Sequence, residues 1–379
     1  MSLAVSIAGV FLLKSLLINS LDMYMSEILI SYDEKKDKFD SYALALKSLL
    51  NTLIQNAGIP IHSLDYRVKT RKSLEGKINK KKKYTSIADI TDIIGIRIIT
   101  HYADDVDKIA ELVESEFLID RDNSIDKRIT IDPEKFGYLS LHYIASLNET
   151  RTPLKEYETY KDIKAEIQIR SILQHAWAEI EHDIGYKSAT GLPNDIKRYF
   201  SRLAGLLEIA DDEFTKIKEK IILRRQEVSI ELENGSGNTT LDVVALDEFL
   251  NKSKIIHEIS LKFEEIYELF LYGKNKNLEY VLKGLELSGL NTIKQLNDAL
   301  LEKRELIINR ISWFGEDFLA YCKKTVEPRE LILTYLSQIT IALKNSPELE
   351  IKYSKETNLE LHEDKVSKFF SDIREQINN

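Results

Sequence analysis

The sequence predicts an α/β domain whose sheet is covered by helices, followed by an all-helical C-terminal region. Three observations carry that prediction. Ile93 to Thr100 is a run of isoleucines around Gly95 and Arg97, the composition of a strand buried on both faces. Ala165, Ile167 and Ile169 alternate with Glu166, Gln168 and Arg170, the period of a strand with one apolar and one polar face. From about Leu203 onward the apolar spacing turns helical almost throughout. A chain of 379 residues is long enough for two such regions, each with its own core.

Each element has its own signal. Ala4 to Leu17 is apolar apart from Ser6, Ser15 and Lys14; it lacks a basic leader and a cleavage site, and it is too short to span a bilayer. It reads as an apolar helix without an assigned role, with Met23 or Met25 as alternative starts. Asp40 to Gln55 carries Leu44, Leu46, Leu49, Leu50, Leu53 and Ile54 at helical spacing and stops at Gly58-Ile59-Pro60. Ser73 to Lys82 reads as a basic helix, and Asp104 to Phe117 as an amphipathic one with an acidic outer face. Tyr138 to Leu147 and Lys164 to Ile169 read as strands, and Ser171 to Lys187 as a long helix. The stretch from Asn234 to Thr240 is a flexible break, rich in Gly, Asn and Ser. Beyond it, Leu241 to Leu250, Ile255 to Leu271, Leu290 to Ile311 and Glu330 to Leu343 read as amphipathic helices, with Trp313 and Phe314 as core anchors. The division expected is a lead-in over 1–39, an α/β domain over 40–212, a helix and flexible linker over 213–240, and a helical domain over 241–379 that serves oligomerisation or regulation.

Charge narrows the function. The net charge of -9 argues against a surface built for long nucleic acids. Between Leu64 and Lys83 the balance reverses, with nine Lys or Arg against Asp65 and Glu75. A local basic patch on an acidic protein suits a small polyanion such as a nucleotide; the bland alternative is a solvated helix face. Cys322 is the one cysteine, so no intrachain disulfide can form and a cytoplasmic protein with no membrane association is expected.

Four clusters carry candidate chemistry. Lys69, Ser73 and Lys77 fall at four-residue intervals and share a face if helical, giving two ammonium groups and a hydroxyl along an extended anion. Arg67 could lay its planar guanidinium on a purine. Asp92 leads into the isoleucine strand, a costly place for a carboxylate unless a cation such as magnesium pairs with it. Its odd separation from Arg97 puts the two on opposite faces of a regular strand, unless a bulge at Gly95 re-aims one; the alternative is a structural Asp92–Arg97 ion pair. Gly137-Tyr138 offers a close backbone approach and a flat ring. Glu166, Gln168 and Arg170 set acid, amide and guanidinium in a row, with Glu166 able to complete a metal site or to accept a hydroxyl proton. On the following helix His175, Glu179 and His182 share a face beside Glu181, a spacing that also admits a zinc reading.

Taken in order, Arg67-x-Lys69-x-x-x-Ser73-x-x-x-Lys77, Asp92-x-x-Gly95-x-Arg97, Gly137-Tyr138-x-Ser140-Leu141-His142 and Glu166-x-Gln168-x-Arg170 through Glu181-His182 resemble the synthetase domain of the RelA/SpoT alarmone family. The resemblance covers roughly Asp40 to Asp212. It implies a nucleotidyltransferase-like mixed sheet with flanking helices, and transfer of pyrophosphate from ATP to the 3′-hydroxyl of GDP or GTP. By the same resemblance Arg67 and Arg97 sandwich adenine, while Lys69, Ser73 and Lys77 hold phosphates. Asp92 and Glu166 bind Mg2+, and Glu166 takes the acceptor proton. Tyr138 stacks guanine, with His142, Gln168, His175 and Glu181 around the acceptor. A homo-oligomer is expected. Leu139 and Ser171 depart from the residues common in the family. The 66 residues ahead of Arg67 are too few for a helical hydrolase domain, so His182-Asp183 is read as part of the synthetase helix. The competing substrate is the 3′ end of tRNA, the target of toxin relatives, for which Lys80 to Lys83 would supply basic surface.

Overall fold

In a computed structural model the chain divides into two compact units, Met1–Lys216 and Ile217–Asn379. The structure describes residues 2–126, 140–186, 193–235, 238–267, 277–311, 328–357, 359 and 361–378.

The first unit is built on a mixed sheet of six strands. These are β1 (Ile61–Val68), β2 (Ile94–Thr100), β3 (Phe117–Ile119), β4 (Ile125–Asp126), β5 (Leu141–Leu147) and β6 (Ala165–Ser171). Their order is β1-β2-β6-β5-β3, with β4 also on β5; only β2 and β6 run parallel, and every other pairing is antiparallel. The helices are α1 (Ser2–Asn56), α2 (Arg71–Lys81), α3 (Asp104–Glu116), α4 (Ile172–Tyr186) and the start of α5 (Asn194–Asn234), which continues past Lys216 as part of the second unit. Ile94, Ile96 and Ile98 of β2 and Ile167 and Ile169 of β6 are fully buried, and Arg97 alone of β2 is not. They share one core with Tyr32, Tyr42, Leu46 and Leu50 of α1 and Val106, Ile109 and Val113 of α3. The mixed sheet flanked by helices is therefore the architecture expected.

Three details differ from the sequence reading. Helix α1 does not start at Asp40 but runs the whole way from Ser2. The charged run from Asp33 to Asp40 hides a stripe of buried residues, Ile28, Tyr32, Phe39, Ala43 and Leu46, that keeps helical spacing through it. Strand β1 was not legible because it lies on the sheet edge and buries only Leu64, leaving no alternation to detect. Lys69 precedes helix α2, whose N-cap is Thr70, so it does not share a helical face with Ser73 and Lys77.

The second unit holds α6 (Val243–Lys252), α7 (Lys254–Tyr267), α8 (Leu278–Ser288), α9 (Ile293–Glu302), α10 (Arg304–Ile311), α11 (Pro328–Lys344), α12 (Pro347–Glu356) and α13 (Glu363–Asn378). Phe249, Leu285, Leu336, Tyr353 and Phe370 centre its core. The all-helical character is as expected, but the span Leu290 to Ile311 is two helices, and α8, α12 and α13 went unread. The end of the break near Asn234 is pinned: Thr239 N–H donates to Glu231 at 2.9 Å and Leu241 N–H to the Asn291 carbonyl at 2.9 Å. Trp313 and Phe314 lie outside the described residues. No described helix is long and apolar enough to cross a membrane.

Candidate active site

The sheet register assembles the site. Arg67 of β1 stands opposite Gly95 of β2, which stands opposite Glu166 of β6. The neighbouring rung runs Asp65, Arg97, Gln168, His142. Registered partners, and residues two apart on one strand, share a face. Arg67, Arg97, Glu166, Gln168 and His142 therefore project from the same side. Arg67 lies across Gly95, its Cγ and Nε 3.4 Å from where a Cβ would stand. Arg67, Gly95, Arg97 and Gln168 line a cavity of about 100 Å3.

Along β6 the polar row is hydrogen-bonded end to end. Arg170 Nη2 donates to Gln168 Oε1 at 2.8 Å, and Gln168 Nε2 donates to Glu166 Oε2 at 2.9 Å. His142 Nδ1 lies 3.0 Å from Glu166 Oε1. Burial of Glu166 works to raise its carboxyl, but the His142 bond and charge, the Gln168 amide and the Arg67 charge outweigh it and bring the pKa down to about 2. Glu166 is thus a fixed carboxylate.

Asp92 sits in the turn before β2 rather than on the strand, and β2 runs without a bulge from Ile94. Its partner is not Arg97. Lys77 Nζ lies 2.6 Å from Asp92 Oδ1 and Lys69 Nζ 3.4 Å from Oδ2. The Oδ1 atom is buried, and its contact with Lys77 is ionic without the alignment of a hydrogen bond. Arg97 instead pairs with Glu179 of α4, Nη1 to Oε1 at 3.0 Å. Sequence reasoning did not assign Glu179 to the site; its i+4 spacing from His175, 3.8 Å away, was the available signal. His175 is held below its ordinary pKa by burial and by the Arg170 and Arg97 charges.

Ser73 lies in the first turn of α2, where its N–H donates to Thr70 Oγ1 at 3.3 Å and its hydroxyl accepts from the same atom at 3.0 Å. Glu181, half-buried on α4, bonds to no other described member of the group. Tyr138, with Gly137 and Leu139, lies outside the described residues. The zinc reading gains no support: among the described residues no three His, Cys, Asp or Glu side chains converge.

A family described as a region found in RelA / SpoT proteins matches residues 66–191, the stretch that holds the end of β1, strands β2 to β6 and helices α2 to α4. The chain carries a RelA/SpoT-type synthetase domain. That domain is 28% identical over 166 residues to the GTP pyrophosphokinase YjbM of Bacillus subtilis, covering 43% of this chain and 74% of that one. It is 29% identical over 168 residues to the GTP pyrophosphokinase YwaC of the same organism, covering 43% and 76%. A crystal structure of small alarmone synthetase 1 from Bacillus subtilis aligns at 24% identity and a TM-score of 0.43, over 50% of this chain and 97% of the other. The matched residues 66–191 fall within the first unit.

Proposed function

We propose that this chain transfers pyrophosphate from ATP to the 3′-hydroxyl of GDP or GTP, giving ppGpp or pppGpp and AMP. One observation carries the reading. An ionised Glu166 shares a sheet face with two guanidiniums, Arg67 and Arg97, and Asp92, in the turn that enters β2, is held between two lysines, within a domain whose relatives are named GTP pyrophosphokinases.

Roles follow from placement. Arg67 and Arg97 offer planar cations for adenine on either side of Gly95. Lys69 and Ser73 stand at the N-terminal turn of α2, whose backbone amides add donors for a phosphate chain, and Lys77 lies one turn further along the helix. Asp92 and Glu166 are the residues that would hold magnesium, since carboxylate oxygens suit a hard cation and Asp92 Oδ1 lacks an aligned hydrogen bond. Bound there, magnesium would neutralise charge on the ATP phosphates. Tyr138 would stack the guanine, with His142, Gln168, His175 and Glu181 around it; a His175 kept neutral contributes hydrogen bonds rather than charge. A cytoplasmic homo-oligomer is the setting we infer, with Tyr199, Leu203 and Leu206, all at least half exposed on α5, as apolar surface for assembly.

In the reaction the 3′-oxygen attacks the β-phosphorus, the bond to the α–β bridging oxygen breaks, and AMP leaves with that oxygen. The hydroxyl proton passes to Glu166. A carboxylate with a pKa of about 2 is a weak base, so the proton moves late, as the new O–P bond forms. The test is incubation with GTP and ATP labelled at the β-phosphorus. Label should appear in the guanine nucleotide with one AMP per product, whereas ADP in place of AMP would mean single-phosphate transfer and overturn the reading.

A further inference from the structure

On the sheet domain, away from the row of Arg67, Glu166 and Arg97, lies a cavity of about 330 Å3, within the range of small-molecule sites. Phe39 of α1 and Ile90 and Ile93 from the segment entering β2 line it, and all three are buried apolar side chains. Its rim is cationic. Lys35 and Lys38 come from α1, and Lys161 and Lys164 from the turn before β6. Lys164 is already committed to Asp120, Nζ to Oδ2 at 2.6 Å. Lys35, Lys38 and Lys161 are exposed and make no ion pair among the described residues. Asp162, the one carboxylate on the rim, offsets a single charge.

We propose that this cavity binds a small organic phosphate, with its apolar or aromatic body over Phe39, Ile90 and Ile93 and its phosphate among Lys35, Lys38 and Lys161. Three ammonium groups without an ion-pair partner among the described residues, around an apolar floor, leave positive charge that an anion would offset. Lysines, as point charges with rotatable donors, suit a phosphate, while a planar carboxylate would be matched better by an arginine fork, and the rim has no arginine. The floor excludes inorganic phosphate as the preferred occupant, since it would leave the apolar surface wet.

The cavity is wired to the nucleotide side. The Phe39 ring stacks on Tyr32 at 6.1 Å, and the Tyr32 hydroxyl donates to the Lys69 carbonyl at 2.6 Å. The Lys69 N–H donates in turn to the carbonyl of Ile93, itself in the cavity wall, at 2.8 Å. A ligand seated on Phe39 therefore contacts the segment that carries Asp92 through Ile90 and Ile93, and is one residue removed from Lys69 through Tyr32 and Ile93.

The test uses the full chain and 1-naphthyl phosphate, a flat aromatic phosphate that is not a purine, titrated by calorimetry. Saturable binding is expected in the wild type, weakened at least tenfold by Lys35→Glu with Lys38→Glu, and unchanged by Arg67→Ala with Arg97→Ala. Inorganic phosphate and 1-naphthol, each lacking one half of the ligand, should bind at least tenfold more weakly than the ester. Equal binding by the lysine variant, or no saturable binding at all, overturns the proposal. Loss of binding in the arginine variant would place the probe in the nucleotide site and overturn it too. None of these outcomes depends on pyrophosphate transfer, which the lysine variant should retain.

Discussion

Replacing Glu166 by glutamine removes a charge while keeping shape, and the site itself sets the size of the effect. Burial, acting to raise the carboxyl, is outweighed by His142, Gln168 and Arg67, which hold it at about 2 against an ordinary value of 4.5. At roughly 1.36 kcal/mol per pKa unit, the folded chain favours the ionised form by about 3 kcal/mol over its neutral counterpart. Glutamine stands in for that neutral form, so Glu166→Gln should cost the domain up to about 3 kcal/mol at pH 7. The folded pKa lies below the unfolded one, so this contribution is complete above pH 4.5 and drains away as pH falls toward 2. At pH 3 the gap between wild type and variant should shrink to about 1.4 kcal/mol. Urea unfolding followed by Trp177 fluorescence, in a Trp313→Phe background, reads it. Trp177 Nε1 donates to the Phe200 carbonyl at 3.1 Å and packs edge-on to that ring, so it reports on this domain. Turnover should fall roughly 1000-fold or more, within the range for loss of a general base. A variant as stable as wild type at pH 7, or a gap that does not change between pH 7 and pH 3, refutes the electrostatic account. Near-normal turnover refutes the catalytic one.

Arg67→Ala should raise the Michaelis constant for ATP about 30-fold, the ~2 kcal/mol of one desolvated cation–π contact, with little change for the acceptor; an unchanged constant leaves Arg67 a surface charge. Tyr138→Ala should weaken acceptor binding by roughly 1–3 kcal/mol and ATP far less, and equal losses would make Tyr138 a packing residue. A chain ending near Asn234 should fold and bind ATP, since the catalytic set lies within Met1–Lys216. A smaller assembly with unchanged turnover would assign the C-terminal helices to oligomerisation, higher turnover would assign them to regulation, and an insoluble product contradicts both.

Much of this domain was readable from residue pattern, for reasons that differ by element. The β6 row was legible because strict alternation forces Glu166, Gln168 and Arg170 to one face, and the hydrogen-bonded chain between them follows. The buried β2 strand was legible from its isoleucines, but they also masked where it begins. Ile93 continues the apolar run while Asp92 sits in the turn, where Lys69 and Lys77 are its partners in place of the Arg97 ion pair weighed as the structural alternative. Arg67 was noticed for its charge, not its strand, because an edge strand that buries one residue leaves no period. Glu179 was noticed on a helix face with His175 and His182, but its pairing with Arg97 depends on α4 meeting β2, a tertiary contact that no local spacing encodes. In the second unit the amphipathic stripes gave helical character but not helix ends. The break between α9 and α10 rests on Lys303 alone, which carries no Gly or Pro signal.

The central claim is tested most directly by a competition among acceptors. Purified chain, magnesium and labelled ATP are incubated with equal amounts of GDP, GTP and total tRNA, and the products are separated by size and charge. Label should enter GDP or GTP, giving ppGpp or pppGpp, and disappear in Asp92→Asn and Glu166→Gln. Label recovered in tRNA, or in no acceptor at all, would contradict the account.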